Sequence, residues 1–238
     1  MQRVRTSIVG IGVALALGTG GATAAEFDIS IHNLTRGIWL TPLLVAAHSS
    51  DTGIFEPGTS ASLSLQAMAE GGNIAPLADD LEALGASVVT NPSGAPVTEP
   101  GTTTTLVLAT DNAAANTQLS IVAMMLPTND GFIGLNAVSL PVKPGTHVFH
   151  VNAYDAGTEG NDEVRGSGVP NEPGIPVPPP MDPVVDSGGS GLAAAAEGFV
   201  HVHRGQLGDT NPTGGATDVD SRRQRWLNPV VRITVSRR

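Results

Sequence analysis

The run from Tyr154 to Glu163 carries carboxylates at Asp155, Glu159, Asp162 and Glu163, is punctuated by Gly157 and Gly160, and contains no Lys or Arg. A second acidic turn, Pro127-Thr128-Asn129-Asp130-Gly131, precedes it, and its Pro, Asn, Asp and Gly each supply a known turn chemistry. Carboxylates brought together without a basic partner repel one another unless water or a cation separates them. Asp130, Asp155 and Glu159 are the candidate ligands for such a cation, with Asp162 and Glu163 close by. The segment from Asp155 invites comparison with an EF-hand loop, because oxygen ligands alternate and a glycine takes the sixth place. That match fails at Gly157 in the third place and Gly166 in the twelfth, where a bidentate Glu is required. A cation here would be held by loop carboxylates and backbone carbonyls at the edge of a sandwich.

His201 and His203 lie in Gly198 to Gly205, where strand alternation puts both on one face, a spacing that zinc and copper sites use. No third ligand can be located from sequence, so two half-exposed strand histidines is the simpler reading and a periplasmic transition-metal protein or metalloenzyme the alternative. His48 has small neighbours and no base-orienting partner, which favours a hydrogen-bonded structural role. Asp79, Asp80 and Glu82 sit early in an expected helix, where the macrodipole explains them. Ser187 to Gly191 lacks the Gly-Lys-Ser/Thr ending of a phosphate cradle, and Gly166-Ser167-Gly168 lacks the strand-to-helix setting of a nucleophile elbow. The expectation is a protein that is not an enzyme.

The elements that must position these residues are mostly strands. Leu119 to Leu126 reads as a buried strand, Phe132 to Leu140 as a second and His147 to Ala153 as a third, with Val148, His150 and Asn152 on one face and Phe149 and Val151 on the other. In an up-and-down meander the turn at Asp130 and the loop after Tyr154 share one end. Phe27 to Ile31, Ala86 to Val89, Thr102 to Ala109, Gly198 to Gly205 and Val230 to Val235 supply further strands, whereas Ala46 to Asp51 is too polar and interrupted for a core strand. Between Thr59 and Gly85 the apolar period lengthens to about 3.6, which predicts two short helices. The first covers Ala61 to Glu70 before Gly71-Gly72; the second has Asn73 as cap and Ile74, Leu77, Leu81 and Leu84 as its stripe. Pro170 to Pro183 holds seven prolines, too many for ladder hydrogen bonds, which makes it an extended covering loop or a linker, and Ser187 to Gly191 adds a glycine-rich piece. The fold class is all-β, an antiparallel β-sandwich with two short helices inserted near residues 60–85.

Composition agrees with a single such domain over residues 26–238. Aromatic residues are 3% and charged residues 14%, against 29 Gly and 18 Pro, which favours strands and turns over a helical bundle. There are no cysteines, so disulfides, thiolate nucleophiles and Cys-ligated metals are excluded. Residues 1–25 have the form of a secretory signal peptide: Arg3 and Arg5, an apolar stretch from Ile8 to Leu17, and a small-residue cleavage pattern at Ala22-Thr23-Ala24. The apolar stretch is shorter than the roughly 20 residues that span a bilayer, so stable membrane insertion is not expected. The mature chain is therefore secreted or periplasmic, and arginine-dominated, cysteine-free composition suggests a bacterium. Removing the leader changes the formal charge from -10 to -12, ten basic against twenty-two acidic residues, which argues against a nucleic-acid partner. Six arginines lie in the last seventeen residues, and pairing with the acidic body is the favoured role for them.

Ala46-Ala47-His48-Ser49-Ser50-Asp51, Asn129-Asp130-Gly131-Phe132-Ile133-Gly134, Tyr154-Asp155-Ala156-Gly157-Thr158 and Asn228-Pro229 before an alternating strand together resemble the spondin domain family, the N-terminal module of F-spondin and the core of mindin. The resemblance implies an antiparallel β-sandwich with one divalent cation, calcium, at the loop end. It also implies that Asp130 and Asp155 are metal ligands. The family's third carboxylate lies upstream of the central strands, where Asp111 is the nearest acid. Strand direction puts Asp111 at the opposite end from Asp130 unless its loop folds back. Gly131 stands where a tryptophan commonly follows the aspartate. Binding or adhesion to an extracellular or cell-surface ligand is the role the resemblance suggests.

Overall fold

Two sheets pack face to face, and the apolar strand at residues 118–126 lies in the middle of one of them. A computed structural model describes residues 25–91, 97–110 and 115–238. The signal-peptide features and Asp111 lie outside the described residues. In chain order the elements are β1 (Glu26–Asn33), β2 (Trp39–Leu40), β3 (Leu44–His48), α1 (Leu63–Gly71), α2 (Ala75–Ala83), β4 (Ser87–Thr90), β5 (Thr103–Ala109), β6 (Gln118–Leu126) and β7 (Gly131–Ser139). Then follow β8 (Gly145–Val151), β9 (Ala153–Asp155), β10 (Arg165–Gly166), β11 (Ile175–Pro176), β12 (His201–Val202) and β13 (Val231–Arg237). One sheet has the order β5-β1-β13-β8; the other runs β12-β9-β7-β6-β3-β4, with β2 also paired to β6. Apart from the short parallel pair β10-β11, the named ladders are antiparallel. The architecture is the expected all-β sandwich with two short helices.

The continuous apolar sequence of β6 has a physical cause: both its faces are covered. Leu119, Ile121, Ala123 and Met125 pack between the sheets against Ile29, Ile31, Ile233 and Val235. Val122, Met124 and Leu126 face the other way, against Leu65 and Met68 of α1, Leu77 and Leu81 of α2, and Met181 and Val185 of the proline-rich segment. That segment is thus a cover rather than a linker. The strand β3 is buried at every residue and lies beside β6. This corrects the expectation of an irregular run there: Ala46, Ala47 and His48 are small or satisfied enough to be enclosed on both sides. Helix α1 is capped by Ser62, whose side chain accepts from Leu65 N, and is ended by Gly72 in the left-handed conformation. For α2 the cap is Ile74, one residue later than expected, and Leu84 is 68% exposed, outside the stripe.

The third strand of the expected meander divides in two. Residues 145–151 leave the sheet of β7 and pair with β13 in the opposite sheet, and the chain re-enters beside β7 as β9. The corner lies at Asn152, flanked by buried Val151 and Ala153. Because Gly131 still stands opposite Asp155, the acidic turn and the acidic loop meet as the meander would have made them do.

Candidate metal centre

The turn before β7 is fixed by its own polar residues. The Leu126-Pro127 peptide is cis, Thr128 Oγ1 donates to Met125 O at 2.5 Å and accepts from Gly131 N at 3.0 Å. Gly131 is required where tryptophan is common in the resembled family, since a Cβ there would lie 2.7 Å from Thr128 Oγ1 and 3.1 Å from the His203 ring. This turn delivers a fully buried Asp130 to the loop after β9. The Asp130 carbonyl accepts from Ala156 N at 3.2 Å, and its Oδ2 accepts from Thr158 N at 2.8 Å, Thr158 Oγ1 at 3.2 Å and Glu159 N at 3.1 Å. Its Oδ1 is buried with no partner. Burial first, and then the neighbouring Asp155, push the Asp130 carboxyl up to about 8.

Asp155 is 1% exposed; its Oδ1 accepts from Gly157 N and its Oδ2 from Asn161 Nδ2, both at 2.8 Å. Glu159 directs Oε1 to Asn129 Nδ2 at 2.7 Å and to Gly174 N, while Oε2 is buried without a partner. Burial raises its carboxyl to about 6. Glu163 is also buried and raised, but both its oxygens are used, by Leu207 N at 2.7 Å and Gly208 N at 2.8 Å. Asp130 and Asp155 are therefore brought together as expected, and Glu159 reaches Asp130 through its backbone N–H.

Sequence reasoning passed over Asn129 and Glu197. Asn129 is 1% exposed and spans the acidic loop, donating to Glu159 and to Asp162 Oδ1 at 2.7 Å and accepting from Glu163 N at 3.1 Å. Its place in the Pro-Thr-Asn-Asp-Gly turn was visible, its reach was not. The expected strand 198–205 shrinks to β12, which pairs with β9 so that His201 stands opposite Asp155. His201 and His203 do share a face: their Nε2 atoms lie 3.7 Å from Asp155 Oδ1 and 3.8 Å from Asp155 Oδ2. Glu197, one turn of chain earlier, brings Oε1 to 3.7 Å from His201 Nε2. Among the described residues, the group whose ligand atoms lie within 4.8 Å of one another is Asp155, Glu197 and His201, without Asp130 or Glu159. Burial lowers the pKa of His203, against the opposing pull of Asp155.

His48 is the structural histidine its neighbours suggested. It is 1% exposed and bonded through Nε2 to Ser120 Oγ at 2.7 Å and through Nδ1 to Ser49 O at 2.9 Å. Three of the six C-terminal arginines pair with the acidic body, Arg222 and Arg223 with Asp220 and Arg238 with Glu26 and Asp28, whereas Arg237 donates to the carbonyls of Pro141 and Val142. Among the described residues, no helix is long and apolar enough to cross a membrane.

No curated protein matches the chain. A family model described as Spondin_N matches residues 33–177, which include Asp130, Asp155 and Glu159. With more than half of its 238 residues matched and the sandwich in place, the chain belongs to the Spondin_N family.

Proposed function

We propose that this chain is an exported, non-enzymatic binding module of the extracellular or periplasmic space, whose loop end is stabilised by one calcium ion held by Asp130, Asp155 and Glu159. The observation that carries this reading is the pair of buried carboxylate oxygens without hydrogen-bond partners, Asp130 Oδ1 and Glu159 Oε2, to neither of whose side chains an arginine or lysine is hydrogen-bonded among the described residues. An ionised carboxylate costs several kcal/mol to bury without a partner, and a hard cation with oxygen ligands removes that cost. Family membership supports the extracellular binding role, and the acidic, cysteine-free composition suits an exported protein that does not bind nucleic acid. The hydrogen-bonded pair His48 and Ser120 is buried at 1% and 0% exposure, so this one serine-histidine contact gives no argument for a hydrolase. The ligand is an extracellular or cell-surface molecule that meets the loop end.

Calcium added to chelator-treated protein should raise the melting temperature. At a calcium concentration 100 times Kd the stabilisation is about 2.7 kcal/mol, or about 5–10 °C for a domain of this size. In the D130N/D155N double variant the rise should vanish. An unchanged calcium response in that variant removes the ion from this site.

A further inference from the structure

The cleft beside the calcium ligands has a volume of about 410 Å³ and is lined by Asp155, Asn161, Glu197, Phe199, His201 and Arg204 among others. His201 is oriented there in a way that fixes which of its nitrogens carries a proton. Its Nδ1 lies 3.1 Å from Val202 O, and a carbonyl oxygen can only accept, so Nδ1 is the protonated nitrogen of the neutral ring. The Nε2 lone pair then faces Asp155 Oδ1 and Glu197 Oε1, each at 3.7 Å, and Nε2 is buried with no hydrogen-bond partner. Three acceptors pointing at a common centre repel one another unless a cation lies between them.

The spacing identifies the kind of cation. Zinc binds imidazole nitrogen and carboxylate oxygen at about 2.0–2.2 Å, so neighbouring ligands of a tetrahedral ion stand about 3.4 Å apart. The observed 3.7 Å is too long for hydrogen bonds and close to that value. A histidine that donates its far N–H to a backbone carbonyl is also the usual outer support of a ligating imidazole. His203 has the opposite orientation: its Nδ1 accepts from Gly205 N at 3.1 Å, which leaves the proton on Nε2, directed at Asp155 Oδ2 at 3.8 Å. It is 4% exposed and its Nε2 has no hydrogen-bond partner, so Asp155 is oriented instead by Gly157 N and Asn161 Nδ2.

We infer that Asp155, Glu197 and His201 form a second metal site that takes a zinc-class transition-metal ion, with its fourth coordination position open to the cleft. Glu197, His201 and His203 lie beyond residue 177, outside the stretch matched by the family model. The inference goes beyond the calcium reading and shares only Asp155 with it.

The test titrates Zn2+, and Co2+ as a visible-absorbing substitute, into chelator-treated full chain with calcium present in excess. One equivalent of Zn2+ should bind, and Co2+ should give the intense visible bands of a tetrahedral site. H201A should weaken Zn2+ on the order of 100-fold and E197Q on the order of 10-fold. D130N should leave Zn2+ binding in place while lowering the calcium response. H201A should do the reverse. His201 and Glu197 are partly exposed at the rim, and E197Q serves should H201A fail to fold. Absence of zinc binding in a parent that still responds to calcium, or equal zinc affinity in parent, H201A and E197Q, overturns this site alone. Loss of both metals on D130N would instead show a single shared ion.

Discussion

Asp130 and Asp220 are both buried aspartates in loops, 0% and 2% exposed, and the fold treats them in opposite ways. Asp220 accepts from Arg222 N and Nε at 2.9 Å and from Arg223 Nε at 2.7 Å, and these partners hold its carboxyl down to about 2. Asp130 receives three donors on one oxygen and none on the other, stands beside Asp155, and is pushed up to about 8. Both clusters are acidic; one carries its counter-charge within two or three residues, and in the other Asp130 Oδ1 has no hydrogen-bond partner. An unpaired buried carboxylate is therefore more informative about function than the density of acids around it.

The largest separation of the two regions should come from calcium. The rise of about 5–10 °C should survive D220N and disappear in D130N/D155N. In chelator the order should invert: D130N, which removes the cost of holding a buried carboxyl protonated at neutral pH, should be at least as stable as the parent in urea unfolding.

A smaller effect should follow from the loop that holds the two metal sites together. Gly157 has φ +68° and lies against the backbone of Phe199, where a Cβ would overlap the Phe199 carbonyl oxygen. Its N–H binds Asp155 and its carbonyl accepts from Gly198 N at 2.8 Å. G157A should cost about 2–3 kcal/mol by combining left-handed strain with a steric clash. It should also weaken both metals, because the 197–203 segment moves away from Asp155. A G157A protein with parental calcium and zinc affinities would separate loop position from metal binding. D220N, by contrast, should cost about 1–2 kcal/mol through its lost charge-assisted hydrogen bonds and leave both metals unaffected.

Much of this was legible in the sequence, for physical reasons that differ by element. Turn chemistry at Pro127 to Gly131 and period-2 alternation in β1 and β13 are local signals, and they gave strands near the observed places. The meeting of Asp130 with Asp155 was legible even though the meander was not, since it needs only that residues 153–155 run back along β7. The departure of residues 145–151 to the other sheet is a choice between two partners with equally suitable faces, and no local propensity decides it. Glu197 was hidden for the same reason: β12 is two residues long, and its place beside β9 is set by the approach of Gly157 to Phe199. The buried strand around His48 was missed because its enclosure depends on Ser120, seventy-two residues away, accepting the histidine into the core.

The smallest expected effect is the pH dependence contributed by Asp220. Its folded pKa of about 2 lies below the ordinary value of about 3.9, so the folded state releases the proton more readily than the unfolded chain. The stability this contributes is complete above about pH 4 and is lost as pH falls toward 2. The full shift would correspond to about 2.5 kcal/mol, but Arg222 and Arg223 are 62% and 45% exposed, and screening reduces the expected contribution to about 1 kcal/mol. Asp130 acts with the opposite sign: its folded value near 8 keeps it protonated throughout this window while the unfolded chain is ionised above about pH 4, so its contribution to stability grows as pH falls from 5 toward 4 and then levels off. Urea unfolding at pH 5 and pH 2.5 should therefore show a loss of stability about 1 kcal/mol smaller in D220N than in the parent, while D130N, which lacks the opposing contribution of Asp130, should lose more than the parent. Equal drops in the parent and D220N would mean that the arginines leave Asp220 no more acidic than a solvated carboxylate, and the contrast between the two buried aspartates would then rest on Asp130 alone.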